Sequence, residues 1–189
     1  MVASGEQISC SLIAGRLNHL GFKSRSWVSW QIPIITDGPH SASRIDKVNK
    51  KTILKYINSG GIPIIPGFQG INSFNRITTL GRGGSDVSAI ILAKFFNAEE
   101  CTIYTDVDGV YTTDPKNYPK AKKINKISYN DMLEMASQGA KVMHPVSVQD
   151  AKLNNIDINV KSSFIKKKGT LITNSKKAFS NRVITGITS

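Results

Sequence analysis

The sequence predicts an α/β fold, with a largely parallel sheet covered by helices on both faces. Three observations predict it. Apolar runs of strand length alternate with helical patterns from one end of the 189-residue chain to the other. The helical stretches carry their own start and stop residues. The chemistry-bearing turns fall just after strands, where ligands sit in sheets of this kind.

Each element has a local reason. Ser4 to Leu20 carries Ile8, Leu12, Ile13, Leu17 and Leu20 on one helical face, and Gly21 follows as a stop. Gln31 to Thr36 reads as a strand, with Pro33 marking an edge or bulge. Asp46 to Asn58 reads as a helix ended by Gly60 and Gly61, and Ile62 to Pro66 as a short buried strand. Ser85 to Asn97 is a strongly apolar helix, and Cys101 to Thr105 a strand entering a loop. Ser128 is the N-cap of a helix running through Ser137, with Asp131 in its first turn. Pro145 suits the first turn of another helix, to about Leu153, and Ile156 to Lys161 closes as a strand. From Lys166 the chain is polar, until a new apolar segment starts at Val183 and stops almost at once.

Bulk composition narrows the function classes. Forty per cent of residues are hydrophobic and 20% charged, as in ordinary soluble proteins. The first residues have neither the basic start nor the apolar core of a signal peptide, and the apolar run from Val87 to Phe96 is too short to span a bilayer. Cys10 and Cys101 stand far apart in no metal-like spacing, which reads as reduced thiols of a cytoplasmic protein. The formal charge of +12 allows a nucleic-acid binder or a Lys-rich surface facing a polyanionic substrate such as ATP. The lysines are scattered through every segment and only 7% of residues are aromatic, so the second reading is favoured.

The strongest motif is Thr78 to Asp86, a Gly-rich turn (Gly81, Gly83, Gly84) running straight into a helix. Glycines let the backbone come close to a ligand, and free N–H groups at a helix start favour anions. Arg82 can grip a carboxylate or phosphate with two hydrogen bonds, and Asp86 can orient a cation. The plainer alternative is a Gly-rich connection with Asp as a helix-favouring residue. Tyr104 to Pro115 is an Asp/Gly/Thr loop after a strand, suited to an adenine ring and ribose with Tyr111 packing nearby. Asp106 and Asp108 also admit a calcium reading, but the other ligand positions of such a loop are absent, and the same residues are plain turn formers. Glu6, near a helix start, could hold a substrate ammonium or simply favour the helix. Thr36 and Asp37 at a strand end are equally ambiguous. Lys141 could reach a phosphate or be a solvated surface charge. His144 precedes Pro145 and more naturally shapes the start of the helix than moves a proton.

Together and in this order, Ser4–Ser9, Ile35–Asp37, Pro66–Gly70, Thr78–Asp86, Tyr104–Pro115, Ala140–Pro145, Val160–Phe164 and Gly169–Ile172 resemble the aspartate kinases. The nucleotide-side motif is shared in looser form with other amino-acid kinases. The combination of Ser4–Ser9 with Thr78–Asp86 is the more specific signal. The resemblance implies a three-layer αβα amino-acid-kinase fold and transfer of the γ-phosphoryl of Mg-ATP to the β-carboxylate of L-aspartate, the first step towards lysine or diaminopimelate, threonine and methionine. It implies that Glu6 binds the substrate ammonium and Arg82 a substrate carboxylate, with Thr36 and Ser85 lining that pocket. Asp86 would organise the reacting groups. Gly83, Gly84, Ser85, Thr105, Asp106, Tyr111, Asp114 and Lys116 would form the nucleotide side, and Lys141 would meet the phosphates.

Two departures qualify the resemblance. The family opens with a strand carrying a Lys-(Phe/Tyr)-Gly-Gly phosphate-binding segment, and nothing like it occurs here. The family also continues into ACT regulatory domains, of which residues 175–189 would be only a linker and a beginning. The expectation is therefore a catalytic domain over residues 1–174, incomplete at its N-terminus, poorly active alone and without its own regulatory amino-acid site. It would be a homo-oligomer, open to completion by a separate amino-terminal fragment, and would bind neither nucleic acid nor membrane. The alternatives are a non-catalytic or split-gene subunit that keeps its ligand pockets, and a kinase of another small amino acid.

Overall fold

The computed structural model describes residues 2–140, 142–174 and 186. The chain divides into two compact units, at Ser88 and Ala89.

The first unit opens with helix α1 (Ala3–His19), closed by Leu20, whose N–H bonds to Arg16 and Leu17, and by Gly21 at φ +86°. Strand β1 (Ser24–Ser26) pairs in parallel with β4 (Ile62–Ile64) as a two-stranded sheet on which α1 packs. A second sheet has the order β3-β2-β5-β6, from β2 (Ile34–Asp37), β3 (Arg44–Val48), β5 (Gln69–Ile71) and β6 (Ile77–Thr79). Within it β2 and β5 are parallel, and the outer strands β3 and β6 are antiparallel to them. Helix α2 (Lys51–Asn58) lies between β3 and β4 in the chain and buries Ile53.

Helix α3 (Gly84–Phe96) begins in the first unit and runs into the second. There a four-stranded sheet has the order β7-β9-β10-β8, from β7 (Cys101–Thr105), β8 (Lys126–Ser128), β9 (Ile158–Ser162) and β10 (Thr170–Thr173). The pairs β7–β9 and β8–β10 are parallel, and β9–β10 is antiparallel. Helices α4 (Tyr129–Ser137) and α5 (Pro145–Asn154) belong to the same unit. Ile90, Ile127, Met132, Val148, Ile158 and Ile172 form the centre of its core.

This is the expected α/β arrangement, with four parallel strand pairs among the seven of the described sheets. The ladders divide into three sheets where a single one was expected. The Ser128 hydroxyl accepts the Asp131 N–H at 3.1 Å, the expected cap. His144 does shape the start of α5, its Nδ1 accepting the Val146 N–H at 3.3 Å. Pro33 precedes β2, and the irregularity falls later, between Ile35 and Thr36.

Three expectations need correction. Asp46–Val48 belong to strand β3, because Ile45 and Val48 pair with Thr36 and Ile34 of β2, and the helix starts only at Lys51. Strand β4 is not buried, because among the described residues β1 is its one ladder partner, and Ile62 stays exposed. Helix α1 does not bury its large apolar residues: Ile8 is 61% exposed and Leu12 69%, while Ala3, Cys10 and Ala14 are buried. Small side chains let α1 lie close against β1 and β4 and leave the longer ones facing outward. The apolar segment after Val183 lies outside the described residues apart from Gly186, as does the proposed linker at 175–185. Among the described residues, no helix is long and apolar enough to cross a membrane.

Replacing an exposed and a buried isoleucine separates these surfaces. Ile158→Ala should lower the unfolding free energy by about 2–5 kcal/mol, whereas Ile8→Ala should change it by less than about 0.5 kcal/mol. Urea unfolding of both variants gives the comparison, and equal losses would contradict the burial described here.

Candidate functional site

In the first unit, the Pro66–Gly70 turn organises the surroundings of Glu6. Gln69 is fully buried, and an amide without partners there would be costly. Its Oε1 accepts from Gln7 Nε2 at 2.7 Å, and its Nε2 donates to the carbonyls of Ala3 (3.2 Å) and Gly67 (3.4 Å). The first turns of α1 are thereby fastened to β5. Gly70 follows, where an added Cβ would lie 2.4 Å from Thr36 Cγ2 and 2.7 Å from the Ile34 carbonyl, so only glycine fits.

The same turn is tied to the glycine motif. Phe68, at φ +69°, donates its N–H to Ser88 Oγ at 2.7 Å, and Ser88 donates to the Gly84 carbonyl at 2.6 Å. The Leu80 N–H bonds to the Phe68 carbonyl at 2.9 Å. Gly81 and Gly83 both take positive φ, and a Cβ on Gly84 would stand 2.9 Å from Phe68 Cδ2 and Leu80 Cβ. The result is a sharp turn that exposes Arg82 and Ser85 and feeds directly into α3, with Asp86 half-buried in its first turn.

Glu6, half-buried, accepts from Ser85 Oγ at 3.4 Å. Burial, and then the Glu6 charge, push the Cys10 thiol above its ordinary value. Thr36 is buried, and its hydroxyl shares a 2.6 Å hydrogen bond with Thr78, which also accepts from Ser43 Oγ at 3.1 Å. Thr36 thus has an internal partner and braces β6 from beneath the glycine turn. Glu6, Ser85, Arg82, Asp86 and Thr36 all belong to this unit.

In the second unit, the loop after β7 lines a pocket of about 800 Å³. Asp106, Tyr111, Asp114 and Lys116 face it, with Phe164 and Ile165 from the turn after β9 and Met135 from α4. Thr105 donates to Asp106 Oδ1 at 3.1 Å, and the Thr105 carbonyl accepts the Ser163 N–H at 2.8 Å. Asp114 Oδ1 accepts the Lys116 N–H at 2.8 Å, a local turn that sets the chain for Lys116. Lys141 lies outside the described residues, although Ala140 and Val142 line the pocket.

Asp108, weighed from the sequence as a turn former or calcium ligand, has other work. Its Oδ1 accepts from Tyr111 Oη at 2.8 Å and its Oδ2 from Lys123 Nζ at 3.2 Å. Burial raises the Asp108 pKa, but the bonds from Tyr111 and Lys123 and the Lys123 charge outweigh it and hold the carboxyl below its ordinary value. The bond to Asp108, then burial, then the Asp108 charge push the Tyr111 phenol up. Among the described residues, no group of three or more His, Cys, Asp and Glu side chains is arranged to hold a metal ion.

Sequence reading did not single out Gln69 or Lys123. Gln69 stood within a recognised motif but had no assigned role, and Lys123 was one lysine among many. Their partners are 62 and 15 positions away, distances at which no sequence pattern operates.

Comparison with known proteins agrees with this layout. The Amino acid kinase family model matches residues 1–162. Aspartokinase of Rickettsia felis is 45% identical over 189 residues, all of this chain and 47% of that protein. Aspartokinase 2 of Bacillus subtilis is 41% identical over 187 residues, 99% of this chain and 46% of that one. The crystal structure of E. coli aspartokinase III in complex with aspartate and ADP superposes with a TM-score of 0.83 at 33% identity, covering 94% of this chain and 40% of that one. The chain spans about half the length of the curated relatives it matches. With a family match over most of its length and the fold to go with it, the chain belongs to the amino acid kinase family.

Proposed function

We propose that the chain carries the ligand-binding residues of an aspartate kinase, which transfers the γ-phosphoryl of ATP to the β-carboxylate of L-aspartate and yields 4-phospho-L-aspartate and ADP. One observation carries the reading. Glu6 sits within 3.4 Å of Ser85, so a carboxylate able to hold an ammonium adjoins the turn that presents Arg82. An amino acid has both charges that such a surface answers. The relatives support the choice of aspartate, and the E. coli structure is described as holding aspartate and ADP.

In this reading the Glu6 carboxylate takes the α-ammonium, and Arg82 takes a substrate carboxylate through its planar fork. Ser85 adds a hydroxyl to that pocket, and Thr36 braces it from within. Asp86, held in the first turn of α3, orients the groups around it. Gly83 and Gly84 belong to the nucleotide side, Gly83 offering its backbone to phosphate oxygens and Gly84, whose N–H bonds to the Gly81 carbonyl at 3.1 Å, holding the turn in shape. On the nucleotide side, Thr105 and Asp106 meet the ribose end, Tyr111 offers its ring, and Asp114 and Lys116 border the same pocket. Lys141 neutralises phosphate charge, and Mg²⁺ arrives with ATP as part of the substrate.

The attacking group is a carboxylate, ionised at neutral pH, so no side chain has to remove a proton. An oxygen of the β-carboxylate forms the new bond to the γ-phosphorus as the bond to the β-γ bridging oxygen breaks, and ADP leaves with the electron pair. The protein contributes positioning and charge neutralisation.

Two measurements test the reading. Glu6→Ala and Arg82→Ala should each weaken L-aspartate binding by roughly 2–5 kcal/mol, the cost of removing one partner of a charge pair that the bound substrate would desolvate, and leave ADP binding unchanged. Calorimetry that finds unaltered aspartate affinity in both variants removes these roles. In a ligand panel, L-aspartate should bind more tightly than L-glutamate, N-acetyl-L-glutamate or UMP. With Mg-ATP and an amino-terminal fragment bearing the Lys-(Phe/Tyr)-Gly-Gly segment added, hydroxylamine should trap an aspartyl hydroxamate. Preference for another member of the panel would reassign the substrate.

A further inference from the structure

Lys123 is not among the residues that line the pocket of the second unit, yet it joins two of its walls. Its Nζ donates to Asp108 Oδ2 at 3.2 Å and to the Lys168 carbonyl at 2.7 Å. Asp108 belongs to the loop that carries Tyr111, and Lys168 lies in the same β9–β10 connection as Phe164 and Ile165. The Lys123 and Asp108 side chains keep only 22% and 17% of their exposure, so their ion pair is less screened than a surface pair.

The backbone is arranged around this contact. Tyr111 and Lys123 form an isolated antiparallel bridge, flanked by Ile124 N–H to the Val110 carbonyl (2.8 Å) and Thr112 N–H to the Lys122 carbonyl (2.9 Å). The buried Thr170 hydroxyl accepts the Val110 N–H at 2.8 Å and donates to the Ile124 carbonyl at 2.6 Å. Gly109 sits at φ +141°, where a Cβ would come within 2.6 Å of Thr170 Oγ1 and 3.1 Å of Lys123 Cδ. The loop therefore closes down on the Lys123 stem and the Thr170 hydroxyl, and only glycine permits the approach.

With one oxygen of Asp108 held by Lys123, the other is left to take the Tyr111 hydroxyl. Tyr111 is then fixed at its phenolic end, and what remains for a ligand is the ring. A flat heterocycle can pack on a ring so held without ordering it first, which lowers the entropic cost of binding.

We propose that Lys123 is a positioning residue for the nucleotide: through Asp108 and the Lys168 carbonyl it holds the Tyr111 ring and the turn after β9 at the spacing that a nucleoside diphosphate requires. This rests on the nucleotide reading of the pocket given above.

The test compares the full chain with Lys123→Met, Lys123→Arg and Asp108→Asn, using ADP and L-aspartate as calorimetric ligands. Lys123→Met should weaken ADP binding on the order of tenfold, the usual effect of removing one partner of a partly buried charged hydrogen bond. Aspartate affinity should not change, and Lys123→Arg should recover most of the ADP affinity. Tyrosinate absorbance, with Tyr111→Phe as the blank, supplies a second readout. Asp108→Asn should bring the Tyr111 pKa down towards its ordinary value of about 10. If Lys123→Met binds ADP as tightly as the unmodified chain, Lys123 does not position the nucleotide. Equal losses for ADP and aspartate would mean a general structural role and would also overturn the proposal. If the unmodified chain takes up no ADP, the nucleotide reading fails and the proposal with it; a shifted Tyr111 titration would then show the clamp to be real but without that purpose.

Discussion

The buried amide of Gln69 is the contact on which the first unit depends. It has no exposure, and its two ends are satisfied by Gln7, Ala3 and Gly67, so it fixes where α1 begins relative to β5. Everything proposed for aspartate follows from that placement. Glu6 stands next to Gln7 on the latched turn of α1. Phe68, next to Gln69 on the other side, holds α3 through Ser88 and the glycine turn through Leu80. Phe68 takes a left-handed conformation unusual for a bulky residue, and the bonds of its own N–H and carbonyl hold it there. A buried polar group of this kind contributes less to stability than to uniqueness, because any other register would leave it unpaired.

The second unit uses the same principle with charge added. Its core is a conventional packing of Ile, Val and Met side chains around the four-stranded sheet. That core cannot shape the loops beyond the strand ends, where little apolar surface remains to bury. Lys123, Asp108 and the Thr170 hydroxyl do so instead, each joining segments that lie apart in the chain. In both units the sheet supplies a rigid edge, and a few polar side chains set the loops upon it. The pH behaviour follows the same contacts. Asp108, with its pKa lowered, contributes stability in full above the ordinary carboxylate range and loses it as pH falls through its folded value. Tyr111, with its pKa raised, contributes in full below about pH 10 and loses it as pH rises through its folded value.

Much of the fold was legible because its signals are local. The Ser128 cap, Pro145 in the first turn of α5, the apolar run of α3 and the Cys101–Thr105 strand can all be read within a few residues. Helix α1 was legible as a helix but not in its packing. Ile8, Leu12 and Ile13 recur at helical spacing, yet Ala3, Cys10 and Ala14 make the contact, since closeness of approach to β1 and β4 decides which face turns inward. Strand β3 was hidden because its charged residues Arg44, Asp46 and Lys47 resemble a solvated helix face, and its partner β2 is visible only in three dimensions. The site divides in the same way. The Gly81–Gly84 turn and the loop around Tyr111 announce themselves by composition, while Gln69 and Lys123 act through partners that only the fold brings near.

The central claim is that the proposed aspartate residues form one site because Gln69 holds α1 to the glycine turn. Aspartate calorimetry on Gln69→Leu, with ADP binding measured in parallel as a check on the second unit, tests it most directly. The account predicts a loss of aspartate affinity of about 1–3 kcal/mol, the cost of stranding the partners of a buried amide, with ADP binding intact. Aspartate bound as tightly as by the unmodified chain would contradict it.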